Sequence, residues 1–189
     1  FFFFFFFFFF FGIADTDQAS GYALARATQT PTVLVLDARK AALSLAAVVQ
    51  GFATLREDAN VQGVILNFAS PALHALVAPA IARETGLPVL GFLPNLPDCA
   101  LESRHLGLVT ASEVAQLRGI VDRLAAKLAE TVDLDALLRL ARAAPPLSCP
   151  DQAPLPAFEG VSVAAALDRA FCFAYPDALE LLERMGARL

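Results

Sequence analysis

Three short apolar runs, each preceded by a stretch of helical composition and each ending on a polar residue or a proline, set the strongest limit on how this chain folds. They are residues 33–37 (VLVLD), 63–67 (GVILN) and 88–94 (PVLGFLP), and a fourth segment, 104–109 (RHLGLV), follows them. Strand–helix–strand units joined by connections of a few residues imply a parallel sheet with right-handed crossovers, hence an α/β fold. In open parallel sheets, ligand groups sit just past the carboxyl ends of the strands. Asp37, Asn67 and Pro94 therefore mark where a nucleotide or substrate is expected.

The intervening residues supply the helices. Residues 21–27 have helical composition, with Asp17 or Ser20 available as a cap, and Pro31 introduces a strand over 32–36. Leu43, Ala46, Ala47, Val49 and Phe52 recur at helical spacing, which predicts a helix over 43–55, followed by a strand over 63–66. Ser70-Pro71 is a helix start, because serine caps and proline is tolerated at the first helical position. That helix is expected to run to about Glu84 and stop at Gly86 in a left-handed turn, before a strand over 89–92. Residues 93–109 read as a long loop, and such loops at strand ends are often functional. Thr110 and Glu113 form a capping box that opens an amphipathic helix to about Glu130, and Asp133 caps another through Arg142.

Five of the twelve prolines fall in residues 144–160, which read as a linker containing a domain boundary. Beyond it, residues 161–165 read as a strand and 176–185 as a helix closed by Gly186. The expected organisation is thus a tract at 1–11 read as an artefact, a partial domain over 12–143, the linker over 144–160, and the first strand–helix unit of a second domain over 161–189.

Composition narrows the function classes. Eleven of the seventeen phenylalanines form residues 1–11. This tract is shorter than the ~20 residues a helix needs to span a bilayer. It has no basic region or small-residue cleavage site of a signal peptide. It reads as a placeholder, from which no fold is inferred. The formal net charge of −5, without a Lys/Arg block, argues against nucleic acid or a membrane as partner. Cys99, Cys149 and Cys172 are far apart, no CxxC pair occurs, and the histidines are His74 and His105. Reduced thiols in a cytoplasmic protein are expected, rather than a disulfide framework or a structural zinc site.

In its order and spacing, this series resembles the ATP-binding domain of the cobyrinic acid a,c-diamide synthase (hydrogenobyrinic acid a,c-diamide synthase) family, glutamine-dependent enzymes of cobalamin biosynthesis. The matching parts are VLVLD; a helix from Ser44 to Gly51-Phe52; Gly63 to Asn67; Pro88 to Gly91; and Glu102 with Arg104 to Val109. After the linker, Ala170-Phe-Cys-Phe173 with Tyr175-Pro-Asp177 looks like the opening of the family's glutamine amidotransferase domain. The resemblance implies a P-loop synthetase-like (dethiobiotin synthetase-like) parallel sheet lacking its N-terminal part, joined to the start of an amidotransferase domain. It also implies Mg-ATP as cofactor, with a corrin acid and glutamine as substrates. In the family, ATP activates the a and c acetate carboxylates as acyl phosphates, and a Cys/His pair releases ammonia from glutamine to displace phosphate.

The chain departs from that pattern where the chemistry is concentrated. No G-x-x-x-x-G-K-[ST] occurs. If Gly12 is the last glycine of the family's Glu-Gly-x-x-Gly-x-x-Asp-Gly motif, Phe4 and Phe11 stand at its two acid positions. The family's nucleophilic Cys and its His find no counterpart, so an internal fragment, inactive alone, is expected. A cobyric acid synthase, a dethiobiotin synthetase and a non-catalytic remnant are the competing readings. An open first strand position would also leave a sheet edge prone to homo-oligomer formation.

The resemblance makes Asn67, Leu93 and Pro94 the candidate cofactor-binding residues. Asn67 either reads an adenine edge or is a polar strand terminus; Leu93 and Pro94 either line the adenine pocket or form an ordinary turn. Asp37 is read as a cap or solvated carboxylate before a Mg²⁺ neighbour, and Asp15 and Asp17 as cap or loop residues. His105 is expected to fix loop geometry, His74 to be a surface or half-buried helix residue, and Cys172 to be a buried thiol. No catalytic residue and no metal ligand is assigned.

Overall fold

The computed structural model describes residues 9–10, 12–100, 117–148, 157–168, 171 and 174–189, together with the backbone of 2–5. The chain divides into two compact units, one of Phe1–Ala100 with Arg118–Leu147 and one of Leu101–Leu117 with Ser148–Leu189. Among the described residues, no helix is long and apolar enough to cross a membrane.

The first unit is built on a four-stranded sheet whose strands lie in chain order, β1 (Phe2–Phe5), β2 (Thr32–Asp37), β3 (Val61–Asn67) and β4 (Val89–Leu93), all parallel. Helices α1 (Gly21–Thr28), α2 (Ser44–Thr54) and α3 (Pro71–Thr85) form the three crossovers. Each crossover steps the same way along the sheet, so the right-handed rule puts all three helices on one face. Leu34, Leu36, Val64 and Leu66 meet that face, in one cluster with Tyr22, Ala25, Leu45, Val49, Val77 and Ile81. The intervening residues Val33 and Ile65, with Leu90, point the other way. They pack with Leu128, Val132, Leu137 and Leu140 of α4 (Leu117–Thr131), α5 (Leu134–Arg142) and their junction. The period-two alternation of a strand thus feeds two separate cores.

The helix ends follow from their caps. Ser20 accepts from Ala23 N at 3.1 Å and opens α1, which resolves the choice between Asp17 and Ser20. Ser70 accepts from Leu73 N at 3.1 Å with Pro71 in the first turn, and Gly86 ends α3 at φ 71°. Asp133 accepts from Ala136 N at 2.8 Å and opens α5. The Thr110–Glu113 capping box and most of the long loop at 93–109 lie outside the described residues. Leu93 itself belongs to β4, and Pro97–Cys99 form a 3₁₀ turn.

Residues 2–5, from which no fold was inferred, form the first strand of the sheet. They pair with β2 from Phe2↔Thr32 to Phe5↔Val35. The physical reason is that an uncovered strand edge offers a row of main-chain donors and acceptors, which any extended segment can fill whatever its side chains. Phe9 is fully buried, with Tyr22 and Phe52 ring centroids 6.0 and 6.3 Å away.

At the other edge, β4 carries a bulge. Val64 faces Val89 but Ile65 faces Gly91, so Leu90 is the extra residue and the side-chain phase reverses after it. Gly91 adopts φ 145° and forms an antiparallel bridge with Val132, while Asp133 N donates to Leu90 O at 2.7 Å. A Cβ at Gly91 would stand 2.2 Å from Thr131 O and 2.6 Å from Val132 Cα, so only glycine lets the α4–α5 junction close on the edge.

In the second unit, the expected strand over 161–165 is reduced to one parallel bridge, Ser162↔Arg188, with Val163 N donating to Arg188 O at 2.9 Å. A parallel ladder grows only as long as its partner, and here the partner is the short stretch after Gly186. Helix α6 (Pro176–Arg184) precedes that stretch, and Gly186 turns the chain at φ 96°.

Gly91→Ala is expected to lower unfolding stability by at least about 2 kcal/mol, from positive-φ strain and backbone overlap. Gly51→Ala, in α2 with nothing within 4 Å of the new Cβ, is expected to gain about 0.5–1 kcal/mol. Urea unfolding of both variants tests the pair; coincident midpoints would show that the bulge does not hold this edge.

Candidate functional site

The register of the sheet brings the expected residues level. Asp37 pairs with Asn67 across β2 and β3, and Asn67 pairs with Leu93 across β3 and β4. Three strands therefore end in one row, and Pro94 directly follows it. The chain leaving each strand is tied to the next one: Ala38 N donates to Asn67 O at 2.9 Å, and Ala69 N to Leu93 O at 3.1 Å.

Within the row, Asn67 Oδ1 accepts from Phe68 N at 3.0 Å. Phe68 has φ 55°, a left-handed conformation that costs a bulky residue on the order of 1–3 kcal/mol. Arg39 lies over the Phe68 ring, its guanidinium carbon 4.3 Å from the centroid. Arg39 Nε donates to both Asp37 oxygens at 3.0 and 2.9 Å, Nη2 donates to Oδ2, and the Arg39 backbone N donates to Oδ1 at 2.9 Å. These bonds to Arg39 hold the Asp37 carboxyl below its ordinary pKa. The two side chains are 64% and 39% exposed, so the pair is worth at most about 1 kcal/mol to stability.

The remaining expected residues do other things. Asp17 binds Arg56 Nε at 2.9 Å, joining the segment before α1 to the end of α2. His74 is half-buried, with its ring 4.8 Å from that of Phe92. Among the described residues its Nε2 is buried without a hydrogen-bond partner, and burial pushes its pKa down, keeping the ring neutral near pH 7. His105, Cys149, Cys172 and Phe11 lie outside the described residues. Arg39 and Phe68 were not legible as site residues: no motif marks them, and only the αL turn after Asn67 swings the ring toward the arginine.

A cavity of about 160 Å³ opens beside the end of β2, lined by Leu36, Asp37, Ala41, Ser44, Leu45 and Val48. A larger hollow, about 660 Å³, lies at the opposite end of the strands, among Arg26, Gln29, Asp58, Asn60 and Gln62. Size favours the second, but chemistry favours the first. Four polar side chains of the larger hollow are already engaged: Asp58 binds Arg26 at 2.9 Å and the Tyr22 hydroxyl, and Gln62 binds Asn60 at 2.9 Å. The carboxyl ends of parallel strands are also where α/β sheets meet ligands.

The row fits the base of a nucleotide, since a carboxamide beside an apolar strand end can accept from and donate to a purine edge. It does not fit Mg²⁺. Both oxygens of Asp37 are occupied by Arg39, and among the described residues no group of three His, Cys, Asp or Glu could hold a metal.

No family model and no solved structure matches the chain. Curated proteins do. The cobyrinate a,c-diamide synthase of Listeria monocytogenes serotype 4b (strain F2365) is 40% identical over 177 residues. That of Salmonella typhimurium (strain LT2) is 39% identical over 178 residues, and that of Dehalococcoides mccartyi (strain ATCC BAA-2266) 39% over 171. The chain is similar to cobyrinate a,c-diamide synthases over most of its own length. The Listeria match takes in 93% of this chain and 39% of that relative, so the chain spans about two fifths of the length of the curated relatives it matches.

The Asp37 carboxyl is expected to titrate below the ordinary carboxylate range and to return to it in Arg39→Ala, as read from carboxyl ¹³C shifts. Because the folded pKa is the lowered one, the stabilisation it carries is complete above about pH 4 and fades as pH falls through the folded value. An unchanged titration in the variant would show that Arg39 is not the cause.

Proposed function

We propose that this chain supplies the base-facing part of an ATP- and glutamine-dependent ligase that amidates the a and c acetate side chains of a corrin acid. The observation that carries the reading is the Asp37–Asn67–Leu93 row at the carboxyl ends of the sheet, in a chain similar to these synthases. The names of the relatives favour it over a cobyric acid synthase or a dethiobiotin synthetase. On this reading the first unit is part of a P-loop synthetase-like domain, and residues 161–189 begin a glutamine amidotransferase domain.

The chemistry needs two steps. A carboxylate takes the γ-phosphoryl group of ATP, giving an acyl phosphate and ADP; ammonia released from glutamine then attacks the acyl carbon and expels phosphate, leaving the amide. Electrophilic activation is required because a free carboxylate has no adequate leaving group. Asn67 accepts from and donates to the adenine edge, and Leu93 and Pro94 form the apolar wall beside it. Among the described residues that row carries no phosphate cradle, so on this reading the remaining parts of the catalytic machinery lie outside it.

Asn67→Ala is expected to weaken binding of a non-hydrolysable ATP analogue about tenfold, the worth of two neutral hydrogen bonds, by isothermal titration. Unchanged affinity would remove Asn67 from the site. The reaction is tested by replacing the matching stretch of the Listeria synthase with residues 12–189. Glutamine-dependent ADP release that requires a corrin acid supports the assignment, and release without one sinks it.

A further inference from the structure

A carboxamide reads a purine edge only when its plane is fixed, because free rotation about the Cβ–Cγ bond exchanges the positions of donor and acceptor. In this chain the plane of Asn67 is set by one bond, Oδ1 to Phe68 N at 3.0 Å, so it depends on how firmly the Asn67–Phe68 peptide is held, and Phe68 itself sits at φ 55°. Left-handed backbone at a phenylalanine persists only where its surroundings hold it. On the main-chain side, Ala69 N is tied to Leu93 O at 3.1 Å. On the side-chain side, Arg39 covers the ring at 4.3 Å and is itself locked by the two Asp37 oxygens.

The ion pair is too exposed for its contribution to stability to explain this arrangement. Its geometry has a different consequence. Asp37 ends β2 and Asn67 ends β3 in the same register row, so the run Asp37–Arg39–Phe68–Asn67 ties the base-reading side chain to the neighbouring strand. We propose that Arg39 is a positioning residue, which clamps Phe68 in its left-handed turn and so fixes the Asn67 carboxamide for adenine over other purines. The proposal rests on the reading of Asn67 given above. It needs arginine rather than lysine, because only a planar guanidinium can stack on a ring while donating to both oxygens of one carboxylate.

The test compares the binding of adenosine and inosine triphosphate analogues, which differ in the amino or carbonyl group at the purine six-position. Binding is measured by isothermal titration on the wild-type chain and on Asn67→Ala, Arg39→Ala, Arg39→Lys, Phe68→Leu and Phe68→Tyr. The wild type is expected to prefer adenine about tenfold, and Asn67→Ala to lose that preference. Arg39→Ala and Phe68→Leu are expected to lose most of it with unchanged circular dichroism and thermal midpoint. Phe68→Tyr, which keeps the ring, is expected to retain it, and Arg39→Lys to restore it only in part. Full adenine preference in Arg39→Ala, alongside its loss in Asn67→Ala, overturns the positioning role while leaving Asn67 in place. Full preference in Asn67→Ala, or none in the wild type, removes the reading of Asn67 and this proposal with it.

Discussion

Parallel pairing with level strand ends is the constraint from which the rest of this structure follows. A parallel strand cannot turn back on its neighbour, so each connection must cross the sheet, and here each crossover is a single helix. With strand order equal to chain order, those helices share a face, and the opposite face needs another cover. Helices α4 and α5 supply it through Leu128, Val132, Leu137 and Leu140. The same levelness gathers at one end of the sheet residues that stand 26 to 30 positions apart in the chain, Asp37, Asn67 and Leu93.

The bulge at Leu90–Gly91 shows how one backbone detail serves both purposes. Without the extra residue, Leu90 and Phe92 would point to the same face. With it, Leu90 enters the α4–α5 core while Phe92 packs toward α3, against His74. The bulge also draws Leu93 back by one residue to the level of Asn67, and Val132 bridges to Gly91. Edge, core and candidate site therefore depend on one glycine, whose conformation no other residue adopts without strain.

Much of this was legible in the sequence, and for identifiable reasons. The strands ending at Asp37, Asn67 and Leu93 announce themselves as apolar runs, and Ser70-Pro71 and Gly86 bracket α3 through chemistry that acts within a few residues. What depends on distant partners was not legible. The strand expected over 161–165 has the right composition, yet its pairing is limited by how little chain lies beside it. The phenylalanine tract has strand-favouring composition but no alternation to fix a face or a register, and residues 2–5 pair with the open edge of β2. Arg39 and Phe68 are 29 residues apart, and their contact exists only once the register of β2 and β3 is set.

Charge separates what this segment can do from what the reaction requires. A nucleoside triphosphate brings several negative charges, and the chain carries a formal −5 of its own. The cation bonded into the row, Arg39, is already neutralised by Asp37, an arrangement that orients without attracting. Polyanion binding needs uncompensated cations or converging main-chain N–H groups, as a phosphate loop provides. The row offers a carboxamide, an aromatic ring and an apolar strand end instead. Such a surface suits uncharged, planar, hydrogen-bonding groups, which is why we propose for it the base of a nucleotide and not the phosphates.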